Sequence, residues 1–123
     1  MMNKRLVFIS LPMSGIPDKV VEANIERAQE AYLGITKLSR DQVTFINTMD
    51  NPDPPEEVTK DKIGVWYLGH SLIHLSKCDE AFFWLGWHNA RGCIIERNVC
   101  DLYKIPVITV EQEVFYNGQS TPV

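Results

Sequence analysis

Ala81-Phe82-Phe83-Trp84-Leu85 is an unbroken apolar run that ends at Gly86-Trp87-His88-Asn89, and it constrains the fold of this chain more than any other feature. Apolar residues without polar alternation mark a strand covered on both faces, and such strands belong to parallel sheets flanked by helices. The neighbouring segments agree. Leu6-Val7-Phe8-Ile9 predicts a first strand that stops at the loop Ser10-Leu11-Pro12-Met13-Ser14-Gly15. From Pro17 to about Leu38, Val21, Ile25, Ala28, Tyr32, Ile35 and Leu38 follow helical spacing, with Pro17 in the first turn and Asp18 beside the N-terminal dipole. Val43-Thr44-Phe45-Ile46 predicts a second strand, and Asn51-Pro52-Asp53-Pro54-Pro55-Glu56-Glu57 a surface loop. Thr59 to about Leu75 has the period of a helix despite Gly64 and Gly69. Arg91 to Tyr103 predicts a third helix, with Asn89 as its cap and Lys104 at its end, and Pro106 to Val110 the last strand.

Strands and helices that alternate in this way predict an α/β three-layer sandwich with a mostly parallel four-stranded sheet. Right-handed crossovers then give the strand order 2-1-3-4. In such sheets ligands bind at the carboxyl ends of the strands beside the reversal of order, here the first and third. Two loops are thereby selected, Leu11 to Gly15 and Gly86 to Gly92.

At 123 residues the chain predicts a single domain, 1–123, with enough core to need no disulfide staples. No run approaches the roughly 18 apolar residues of a membrane span, and the N-terminus leads straight into a strand rather than a signal peptide. A cytoplasmic protein is expected, with no membrane partner. Twelve Lys and Arg against 16 Asp and Glu give a net charge of −4 without a basic stripe, which argues against a nucleic-acid partner and for a small molecule. Cys78, Cys93 and Cys100 are odd in number and lack CxxC spacing, as expected of reduced, packed thiols; Cys93 alone falls where a helix dipole lowers a thiol pKa. His70, His74 and Cys78 recur every four residues, yet eight helical residues span about 12 Å, too far for one ion to bind both ends. No metal site is expected, a two-histidine site completed by an outside ligand being the minor alternative.

Glu96 is the candidate for chemistry. It falls early on a helix whose start lies at the expected crevice, where Gly92 lets a ligand approach the backbone and free N–H groups suit an anion. The plainer account is a carboxylate favouring its helix turn. Ser10, Ser14 and Gly15 offer hydroxyl and backbone donors to a sugar or phosphate, although neither GxxxxGK[ST] nor GxGxxG is present. Arg91 sits where a phosphate would meet both a guanidinium and backbone donors, and Trp87 is placed to stack on a flat ring. Core packing and solvation are the competing accounts of these two. Asp79, at the start of the third strand, lies at the other end of the sheet and is read as structural.

Together these residues carry a resemblance. Phe8-Ile9-Ser10-Leu11-Pro12-Met13-Ser14-Gly15, then Ser71-Leu72 followed by Leu75 and Cys78-Asp79, then Gly86-Trp87 leading to Arg91-Gly92 and Glu96, look like the nucleoside 2-deoxyribosyltransferase superfamily, and within it a small uncharacterised phage and bacterial branch. The likeness runs from Leu6 to Ile108. It implies a flavodoxin-like fold and cleavage or transfer of the N-glycosidic bond of a nucleoside or nucleotide by a Glu nucleophile, which falls on Glu96, without a cofactor or metal. It also implies substrate contacts from Phe8, Ser10, Pro12, Met13, Ser14, Gly15, Trp87, Asn89, Ala90, Arg91 and Gly92. Four positions depart from the pattern. The usual Asp of the preceding helix reads Ser71, the Tyr of the first strand reads Phe8, the first-loop Gly reads Leu11, and the Ser or Asp six residues before the nucleophile reads Ala90. His70, beside Ser71, is the candidate replacement acid, its unperturbed pKa of about 6.5 suiting proton donation.

Two functions from different classes follow: an N-glycosidic-bond hydrolase or deoxyribosyltransferase, and a nucleotide-type binding protein of phage or mobile-element origin that has lost turnover. A structural oligomer is the third possibility. Trp66 and Tyr67 on the second helix, Val114-Phe115-Tyr116 beyond the last strand, and the oligomeric habit of the superfamily lead to an expected homo-oligomer, with Tyr116 or Asn117 near a neighbour's site.

Overall fold

The computed structural model describes residues 4–46, 49 and 51–110. Within them the chain runs β1 (Arg5–Ser10), α1 (Asp18–Thr36), β2 (Val43–Ile46), α2 (Ile63–Leu75), β3 (Glu80–Phe83), α3 (Arg91–Tyr103) and β4 (Val107–Thr109), with short 3-10 turns at Arg40–Gln42, Lys60–Lys62 and Trp87–Asn89. The four strands form one all-parallel sheet in the order β2-β1-β3-β4, as the alternation of segments predicts. Val7 pairs with Phe45 on one side and Glu80 on the other, so β1 and β3 take the two central places.

Each face of the sheet has its own core. Val7, Ile9 and Leu11 point to the face covered by α1, where they meet Val21, Ala28, Tyr32, Phe82 and Trp84. Phe8 points to the other face, with Ala81 and Phe83, and meets Leu72 and Leu75 of α2 and Cys100 of α3. Alternation along the pleat therefore sorts neighbouring apolar residues into two layers, and the continuous run of β3 feeds both. Three layers result. Among the described residues no helix is long and apolar enough to cross a membrane.

The amino end of the sheet is pinned by polar contacts. Asp79 accepts a hydrogen bond from the Leu6 amide at 2.7 Å, and its own amide donates to the Leu6 carbonyl at 2.8 Å, which gives it the structural part expected. Buried Glu80 accepts the Tyr32 hydroxyl hydrogen and pairs with Arg5 at 3.4 Å, so α1 is tied to β3. Burial pushes the Tyr32 hydroxyl pKa up, so it remains a donor.

Several details differ from the sequence expectation, the ends of β1, α1 and β4 by only one or two residues. The second helix begins at Ile63 rather than Thr59, because Thr59 turns its hydroxyl onto Asp61 and Lys60–Lys62 form a 3-10 turn before the α-helix. β3 starts one residue early, at Glu80, and ends at Phe83. Asn89 does not cap α3; it belongs to the 3-10 turn, its amide bonded to the Gly86 carbonyl, and extended Ala90 occupies the N-cap without a side-chain bond. Lys37 and Lys104 end α1 and α3 in the left-handed conformation that glycine usually supplies.

Candidate functional site

The parallel sheet brings the ends of β1 and β3 to one edge. The Trp84 amide donates to the Ser10 carbonyl at 2.9 Å, extending the pairing one step beyond the strands. Past it the two expected loops touch. Gly86 adopts φ +84°, and a Cβ there would lie 3.2 Å from Pro12 Cγ, so the Pro12 ring occupies the space that any other residue at 86 would fill. Gly86 permits the turn and the close approach together.

Below this junction is a buried acid. Glu96, 7% exposed, faces the sheet from α3, and Ser10, 1% exposed at the end of β1, donates its hydroxyl hydrogen to Glu96 Oε1 at 2.7 Å. Ser10 shares its face of β1 with Phe8, because residues two apart along a strand point the same way. Burial pushes the Glu96 carboxyl up to about 7, against the Ser10 hydrogen bond, which favours the charged form. A carboxyl of this kind can hold or release a proton near neutrality and can stabilise a positive charge that develops beside it.

Cys93 lies one turn before Glu96 and beside Ser10. Its place at a helix start suggested a lowered pKa, but burial dominates and pushes the thiol up to about 12. Cys93 is therefore a packed thiol. Cys78 and Cys100 are likewise pushed up to about 11 by burial. Leu11, which replaces the glycine of the resemblance, sends its bulk to the α1 face with Val21 and Trp84, away from Glu96. Phe8, 1% exposed, lies in the core beneath α2 and α3.

The other sequence candidates spread over several environments. Pro12 and Met13 are half-buried in the first loop, whereas Ser14 and Gly15 are exposed, Gly15 with φ +76°. Asn89 and Arg91 are exposed at the start of α3, and Ala90 and Gly92 are half-buried beside them. Trp87 has a Phe83 ring edge at 5.5 Å and the Arg97 guanidinium 5.5 Å from its centroid, so its indole is already packed. Its buried Nε1 has no hydrogen-bond partner among the described residues. His70 and Ser71 are half-buried in α2; His70 lies against the Trp66 ring at 4.2 Å, and among the described residues neither bonds to Glu96. His74 meets Asn51 at 3.2 Å, while Cys78 donates to the His74 carbonyl at 3.3 Å. No group of three His, Cys, Asp or Glu among the described residues could hold a metal.

Sequence reasoning passed over Arg97, which lies over Phe83 and Trp87 and bonds to Asp101 at 3.3 Å and Thr109 at 2.9 Å. Its place next to Glu96 was the available signal, but an Arg on a helix ordinarily faces solvent. A shallow open groove between Ala23, Glu26, Arg27 and Glu30 of α1 and Trp84 lies on the opposite face of the sheet from Glu96. No family model, curated protein or solved structure matches the chain.

Proposed function

We propose that this protein binds a nucleoside or nucleotide where the Leu11 to Gly15 and Gly86 to Gly92 loops meet, and that Glu96 attacks the N-glycosidic bond. The observation that carries the reading is the Ser10-bonded carboxyl of Glu96, buried behind those loops at the carboxyl edge of the two central strands. A carboxylate at an anomeric carbon needs no cofactor. The bond from its oxygen to the sugar carbon forms as the carbon–nitrogen bond breaks, and the electron pair leaves with the base, which takes a proton from water. Water then attacks the same carbon, releases the sugar, returns a proton to solvent and restores the carboxylate. A second base in place of water gives transfer instead. Arg91, exposed at the start of α3 with the free N–H groups of that helix, suits a 5′-phosphate.

One observation favours the binding-only alternative. Phe8 puts an apolar, fully packed ring where the superfamily has a Tyr, so Ser10 is the single side chain bonded to Glu96 among the described residues. Incubation with nucleosides and their monophosphates, following free base by chromatography and thermal stability in parallel, separates the two. Base release that Glu96→Gln abolishes, with ligand-induced stabilisation kept, establishes the enzyme. Stabilisation without base release selects the binding protein, and a panel with neither effect removes both readings. We further infer that the protein works as a homo-oligomer through the uncharged outer surface of α2.

A further inference from the structure

Ser10 is the last residue of β1, and its place is fixed from two sides: it pairs with Phe83 in the sheet, and its carbonyl accepts the Trp84 amide at 2.9 Å. Its side chain is 1% exposed and is turned to α3, where its hydroxyl meets Glu96. Its hydroxyl carries one hydrogen and has two neighbours, the Glu96 carboxyl and the Cys93 thiol. The thiol is kept neutral by burial and has no negative charge to offer, so the hydrogen goes to Glu96 Oε1 at 2.7 Å. Oε2 accepts no hydrogen bond from the described residues.

The geometry points to Ser10 as a positioning residue that commits Oε1 of Glu96 to a fixed hydrogen bond and leaves Oε2 as the oxygen presented to the sugar. The assignment rests on the glycosidic-bond reading of Glu96 given above. It serves both halves of the reaction. In the first, the bond holds the carboxylate in one rotamer and favours its charged, attacking form. Once Oε2 is bonded to the sugar carbon, Oε1 becomes the carbonyl oxygen of the ester, and the same hydrogen bond stabilises the charge that returns when the carboxylate leaves. The departing Tyr of the resemblance is thus offset from the next inward-facing position of the same strand, two residues along from Phe8.

Carbon-13 NMR of protein labelled at the glutamate carboxyls, with the Glu96 signal assigned by its loss in Glu96→Gln, reads this bond with no substrate present. Ser10→Ala is expected to raise the Glu96 titration midpoint by about one pH unit, since it removes a hydrogen bond to the charged form. Ser10→Thr, which keeps a hydroxyl, is expected to restore it. At neutral pH kcat should fall about tenfold in Ser10→Ala with KM within about twofold, and the acidic limb of the pH–rate profile should follow the NMR midpoint. An unchanged midpoint in a folded Ser10→Ala protein overturns the positioning role whatever the activity. A moved midpoint with wild-type kcat and pH profile overturns it too. A moved midpoint in a protein whose wild type releases no base retains the bond and sinks the glycosidic reading on which its catalytic use depends.

Discussion

A carboxyl that titrates near neutrality in the folded chain makes stability depend on pH, and for Glu96 the sign is fixed. Its pKa is about 7 when folded against an ordinary value of 4.5, so between these limits the folded state holds a proton that the unfolded state has lost. The favourable contribution is complete below about pH 4.5, declines as pH rises, and is gone above about 7. Across that window the loss is on the order of 3 kcal/mol, the raised pKa expressed as free energy. Glu96→Gln mimics the protonated form and keeps the Ser10 hydroxyl partnered. Relative to wild type it should therefore gain stability on going from pH 5 to pH 8, by an amount of that order, in urea unfolding at the two pH values. A wild type and variant whose difference in stability is the same at both would show that Glu96 titrates normally. The measurement is indifferent to function, and it supplies the acidic limb expected of any reaction that needs the charged Glu96.

At the scale of elements, the site depends on one strand end meeting another, and Gly86 is where the meeting can be tested. Gly86→Ala puts a Cβ into left-handed backbone and against the Pro12 ring at 3.2 Å, whereas Gly15→Ala meets the same backbone strain, φ +76°, in open space. Gly15→Ala should cost about 1 kcal/mol and Gly86→Ala about 2 to 3 kcal/mol, the excess measuring the loop contact, in parallel urea titrations. Equal losses would dissolve the contact between the loops. That these loops share an edge was legible because strand order and parallel direction leave no other arrangement, and the apolar run of β3 together with the Gly86 break makes both readable. The boundaries of α3 and β2 were legible for the same reason, as strong punctuation encloses them. The start of α2 was not, since Thr59, Asp61 and Lys62 have compositions that suit a helix or a 3-10 turn, and local hydroxyl–carboxylate bonding settled it. Least legible was the bond from Ser10 to Glu96. It joins residues 86 apart through the register of β1 against β3 and the packing depth of α3, quantities that no local pattern encodes.

For the whole molecule the unresolved balance lies on the outside of α2. Ile63–Leu75 contains no charged residue, and its solvent stripe is Val65, Gly69 and Ile73, four residues apart, with Val65 64% and Ile73 53% exposed. A helix facing only water ordinarily carries charge on such a stripe, as α1 does with Lys19, Glu22, Glu26 and Glu30. Gly69 in its middle leaves open space where a side chain would stand, so another helix can approach closely. The half-buried Trp66, packed edge-on to Tyr67 at 5.1 Å, provides aromatic area beside the stripe. Val114, Phe115, Tyr116 and Asn117, also expected near the seam, lie outside the described residues. In the proposed homo-oligomer, two α2 helices packed about a two-fold axis would present the same uncharged stripe to each other. Light scattering coupled to size exclusion at micromolar concentration should give at least twice the chain mass. Ile73→Glu, a change at an exposed position that leaves the core untouched, should reduce it to one chain with an unchanged circular dichroism spectrum, since a buried charge without a partner is strongly disfavoured. A wild type of single-chain mass would end the idea, and an oligomer that survives Ile73→Glu would move the seam away from α2.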